Sequence, residues 1–70
     1  MSAIQHYDVI GRRRVDGLYE LRQRTDKGDV FLEGPCSRVV AEIRLRALAR
    51  EHGSDPWIQE RDGSYRSLEA

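Results

Sequence analysis

The chain reads as a small α+β domain: a three-stranded antiparallel meander, one helix packed across it, and a short C-terminal strand or hairpin. Three observations predict this. An early stretch of alternating apolar and charged residues is broken at Asp16-Gly17 and again at Lys27-Gly28. A run between Ser37 and Gly53 carries helical spacing with start and stop signals. After Pro56 a closing stretch is broken by a further Asp-Gly, at Asp62-Gly63.

The register of the first hairpin follows from the hydrophobic pattern. If Val15-Asp16-Gly17 is a three-residue loop with Gly17 left-handed, Arg13 faces Tyr19, Gly11 faces Leu21 and Val9 faces Gln23. Alternation then gathers Tyr7, Val9, Tyr19 and Leu21 on one side, whereas a two-residue loop scatters them. The opposite side sets Arg12 across from Glu20, Ile10 across from Arg22 and Asp8 across from Arg24. In the second turn, with Lys27-Gly28 at its tip, Thr25 pairs with Val30, Gln23 with Leu32 and Arg22 with Glu33. Val30 and Leu32 then face the core, and Phe31 lies beside Arg24, where a guanidinium can stack on the ring.

Ser37 is the expected helix N-cap and Gly53 the left-handed residue that ends the helix. Glu42 stands four residues from both Arg38 and Arg46, which supports the helical form. The apolar positions make two groups, Val40, Ile43 and Ala47 against Ala41, Leu45 and Leu48, separated by Arg44 and Glu51. One group covers the sheet. The other, read as Ala41, Leu45 and Leu48 with Arg44 beside them, is the expected docking face for a partner protein or a second copy of the chain. In the closing segment Trp57 and Ile58 are adjacent and point to opposite faces of any strand, so each needs separate cover.

Composition narrows the function. Seventy residues make one small domain, and twelve basic residues balance twelve acidic ones, which removes the bulk electrostatic drive of a strongly basic nucleic-acid binder. Eleven of the twelve bases are arginine, leaving planar, bidentate recognition open at local patches. Cys36 is the sole cysteine, which excludes an internal disulfide, and His6 and His52 lack paired-ligand spacing, so neither metal nor cofactor is expected. The opening MSAIQHYDVI has no basic region followed by an apolar run, and no apolar stretch is long enough to span a bilayer. A cytoplasmic location is expected.

Catalysis has little footing. Cys36 stands at a helix start, where the dipole can lower a thiol pKa, but His52 is about four turns away at 1.5 Å per residue. Cys36 therefore reads as a small buried thiol. Asp8, Glu20 and Glu33 read as cross-strand partners of arginines, and no glycine-rich phosphate loop is present.

Two stretches, DGLYELR (Gly17, Tyr19, Leu21, Arg22) and DGSYR (Asp62, Gly63, Arg66), resemble a family of small bacterial and phage domains of unknown function. That family has an early hairpin, a helix and a closing Asp-Gly strand. The segment from Tyr19 to Ala49 is similar in layout to the plant-type DNA-binding domain, in which a three-stranded sheet packed on one helix reads the major groove with arginines. The first resemblance implies a phage or mobile-element accessory or inhibitor protein. The second implies a nucleic-acid surface on the outer sheet face, carried by Arg12, Arg13, Arg14, Arg22 and Arg24. Balanced charge and the surplus apolar helix face rank a non-enzymatic protein-binding module first and a nucleic-acid binder second.

Overall fold

The computed structural model describes residues 4–69. Strands β1 (Val9–Arg13) and β2 (Tyr19–Thr25) form the first hairpin in the register the alternation requires, Val9 opposite Gln23, Gly11 opposite Leu21 and Arg13 opposite Tyr19. The loop closes between Arg14 and Leu18, whose backbone bond is 2.8 Å, and Gly17 has a φ of 85°. Tyr7 is an exception to the expected core side. It precedes the strand with a φ of 70° and is half-exposed.

The second turn is tighter than the Lys27-Gly28 reading. Only Asp26 and Lys27 lie between the paired Thr25 and Gly28, and the Thr25 hydroxyl donates to the Gly28 carbonyl at 2.6 Å. Strand β3 (Gly28–Cys36) is thereby slid by two residues against expectation, with Gln23 opposite Val30, Arg22 opposite Phe31 and Arg24 opposite Asp29. Val30 and Phe31 keep their expected sides. Irregularities between Arg22 and Leu21, and between Leu21 and Tyr19, then bring Glu33 opposite Leu21. Each extra residue on β3 inverts the side on which the following residues stand. Glu33 thus leaves the side of Arg22 and joins the side of the helix.

Gly34 makes this bulged segment passable. Its φ is 122°, and a Cβ there would stand 2.9 Å from the Tyr19 carbonyl oxygen, a backbone atom that cannot swing away. Gly34→Ala is expected to cost about 1–3 kcal/mol through strain at a left-handed position. A denaturation midpoint equal to that of the parent chain would refute this.

The helix α1 (Arg38–His52) starts and stops where its signals predict. Ser37 accepts from the Val40 amide, and Gly53, with a φ of 63°, donates its amide to the Ala49 carbonyl. The face it lays on the sheet is Ala41, Leu45, Leu48 and Ala49, which join Val9, Tyr19, Leu21, Ile58 and Leu68 in the core. The expectation that Ala41, Leu45 and Leu48 form a docking face is therefore corrected: the first two have no exposed surface and the third is 6% exposed. Gly11 explains the choice. A Cβ there would lie 2.8 Å from Leu45 Cδ1, so the missing side chain is the notch that seats Leu45.

The C-terminal segment is a hairpin, β4 (Pro56–Gln59) and β5 (Tyr65–Ser67). Both strands extend the same sheet, whose order is β3-β2-β1-β4-β5, with β4 parallel to β1. Parallel neighbours cannot be joined by a tight turn, and the helix supplies the crossover that returns the chain to the middle of the sheet. Centrality accounts for β1 being apolar on both sides. Val9 faces the helix, while Ile10, paired with Trp57, is buried on the opposite face.

Candidate functional site

With Ala41, Leu45 and Leu48 used in the core, the exposed side of the helix displays Val40 and Ile43 of the other apolar group, joined by Val39, which that group did not include, while Ala47 is partly buried. Val39 is 69%, Ile43 61% and Val40 45% exposed, all within the first two turns. Spacing of three and four residues aligns Val39 and Val40 with Ile43 along one stripe. Val30, on the helix side of β3 by its register with Gln23, is half-exposed as well.

Ion pairs frame this stripe. On one flank Arg44 donates from Nε and Nη2 to the two oxygens of Glu33 at 2.6 and 3.1 Å, a fork that ties the helix to the edge strand. The hydrogen bond from Arg44 lowers the Glu33 pKa, and the same bond raises that of Arg44. On the other flank Arg38 binds Glu42 at 2.9 Å and Glu60 at 2.7 Å, while its Nη1 donates to the Tyr19 hydroxyl at 3.3 Å. These bonds hold the Arg38 pKa above its ordinary value. Of the four residues expected to dock a partner, Arg44 alone reaches the surface, as a flank of the neighbouring stripe.

The five arginines of the early hairpin do not make one surface. Arg12, Arg22 and Arg24 share the sheet face opposite the helix by register, Arg13 stands on the helix side opposite Tyr19, and Arg14 belongs to the loop. The acidic partners also differ from expectation. Arg22 binds Glu20 at 3.0 Å instead of Glu33, which the bulge has turned away, and Arg24 approaches Asp29 at 3.8 Å instead of Asp8. Glu20 lies opposite Arg12 in the ladder but is held by Arg22, with Arg14 at 3.9 Å. Among the described residues Arg12 and Arg13 have no carboxylate within ion-pair distance. Among the described residues, the guanidinium that lies over a ring is that of Arg38 over Tyr19, at 5.8 Å, and not Arg24 over Phe31.

Asp8 is a structural hub that sequence reading missed. It is buried and accepts from the Gln5 amide at 2.8 Å, the Asp55 amide at 3.2 Å and Trp57 Nε1 at 3.0 Å. Trp57 therefore obtains its cover away from the helix, with its polar edge satisfied by a carboxylate. The one available signal was an acid directly before a doubly apolar strand.

Cys36 is half-buried and donates its thiol to the Tyr19 carbonyl at 3.8 Å. Burial first, and the nearby Glu33 charge second, push its pKa up, the reverse of what a nucleophilic thiolate needs. His6 pairs with Asp26 at 3.3 Å in the open. Among the described residues no three His, Cys, Asp or Glu side chains converge as metal ligands, and no helix is long and apolar enough to cross a membrane. No family model, curated protein or solved structure matches the chain.

Proposed function

We propose that this chain is a non-enzymatic protein-binding module, an accessory or inhibitor protein that acts by occupying a partner protein's surface with the outer side of α1. One observation carries the reading: Val39, Val40 and Ile43 stand exposed on a helix whose other side is fully seated on the sheet. Three β-branched side chains on a supported helix lose little side-chain entropy when covered, which favours association. The flanking carboxylates and guanidiniums already hold one another, so the stripe can be covered without stranding a charge. Overall charge balance points the same way.

Nucleic acid on the outer sheet face is less supported. Arg13 and Arg14 leave that face, while Arg22 and Arg24 hold Glu20 and Asp29.

The test is Ile43→Glu. As bait in a nuclease-treated lysate, the parent chain is expected to retain a discrete protein that the variant loses, both with the same helical circular dichroism and unfolding midpoint. Sedimentation over a range of concentrations identifies a second copy as the partner. Capture that vanishes with nuclease and survives Ile43→Glu would reverse the assignment in favour of nucleic acid.

A further inference from the structure

A second site, independent of the helix stripe, lies towards the C-terminal end of α1. The C-terminal half of α1 and the tail after β5 enclose an open groove of about 720 Å³, within the usual size range of small-ligand sites. Its apolar lining comes from Ala49, Pro56 and Leu68, and its polar lining includes Arg46, Arg50 and Arg66. We propose that this groove binds a small organic oxyanion, a phosphate monoester or carboxylate, with the anionic group between the arginines and an apolar body on the residues beneath.

Arg38 takes up the carboxylates nearest these arginines. Among the described residues, the carboxylate within ion-pair distance of Arg46 is Glu42, at 4.0 Å, and that of Arg66 is Glu60, at 3.7 Å. Both carboxylates are held more closely by Arg38, at 2.9 and 2.7 Å. Arg50 has no carboxylate within ion-pair distance among the described residues. Three guanidiniums thus border one cavity, while the two acids that approach them are committed elsewhere. Their planar forks match the paired oxygens of a phosphate or carboxylate. One acid opposes the ligand: Glu69 also lines the groove. The neighbouring Asp55 carboxyl raises the Glu69 pKa and so disfavours its charge.

The floor selects for more than charge. Ala49, Pro56 and Leu68 line the groove beside the arginine stems, and a ring laid against what these residues leave open exchanges water for apolar contact. Phenyl phosphate should therefore bind more tightly than inorganic phosphate, and comparison with benzoate identifies which oxyanion the arginines prefer.

Amide and arginine side-chain NMR titrations with inorganic phosphate, phenyl phosphate and benzoate test the proposal. Saturable shifts are expected around Ala49, Arg50 and Leu68 below about 10 mM of phenyl phosphate or benzoate, a millimolar or tighter affinity. Arg50→Gln and Arg66→Gln should each weaken binding about tenfold, equivalent to 1.4 kcal/mol, while Arg12→Gln on the sheet face leaves it unchanged. Because these arginines lie outside the core, both variants should fold, which their amide spectra will show. The proposal is overturned by shifts that never saturate, by equal losses in Arg12→Gln, or by duplex DNA binding at these arginines without a response to any of the three probes. Ile43→Glu should leave the titration unaltered, so the two sites stand or fall separately.

Discussion

Leu45→Glu is expected to abolish the folded state, whereas Ile43→Glu, two residues away, should leave it intact. Leu45 is fully buried over Gly11, with its Cδ1 in the space a Cβ would take. Truncating such a leucine to alanine costs about 3–5 kcal/mol from lost transfer energy and the cavity left behind. A carboxylate at the same point has neither a hydrogen-bonding partner nor room to reach water, which adds at least a few kcal/mol more. The sum is comparable to the roughly 5–15 kcal/mol that stabilises an ordinary domain, and a chain this small stands near the lower end. Ile43 is 61% exposed, so a charge there remains in solvent. Circular dichroism and urea unfolding of the two variants decide the matter. A cooperative transition near the parent midpoint for Leu45→Glu would show that the helix seats a different face.

Asp8→Ala is expected to destabilise the chain by about 2–4 kcal/mol, more than removal of any exposed ion pair. The carboxylate receives two backbone amides and the Trp57 indole, and so ties the chain before β1 to the entry and first residues of β4. Alanine leaves three donors without an acceptor, two of them on segments that the sheet must hold in parallel register. Asp8→Asn retains one acceptor oxygen and should lose less. Trp57→Phe keeps most of the apolar cover but removes the indole donor, so a double-mutant cycle with Asp8→Ala isolates their coupling, expected at about 1–3 kcal/mol. Additive losses in chemical denaturation would mean that Asp8 acts only through the backbone amides.

The first hairpin and the helix were legible in the sequence. A one-residue slip around Asp16-Gly17 would have thrown Val9, Tyr19 and Leu21 onto mixed sides, so hydrophobic alternation admits one register and the structure adopts it. Ser37 and Gly53 mark the helix ends because capping is a local matter of one hydroxyl and one left-handed residue. The class of fold follows from these elements. The second turn was not legible, because sliding β3 by two residues returns Val30 and Phe31 to the same sides and alternation is blind to an even shift.

Tertiary structure alone decided which helix face is buried. Val40, Ile43 and Ala47 rival Ala41, Leu45 and Leu48 in hydrophobicity, and what separates them is fit: Ala41 and Ala49 permit close approach, and Leu45 enters the notch at Gly11. The arginine partners were likewise settled by the bulge, which carries Glu33 across the sheet to Arg44. The parallel insertion of β4 beside β1 brought Asp8 to Trp57, forty-nine positions away. Periodicity assigns residues to sides within one element, because it records the geometry of a single strand or helix. It carries no information about which complementary surfaces meet, and that choice is made by shape and by the carboxylates and donors that packing brings together.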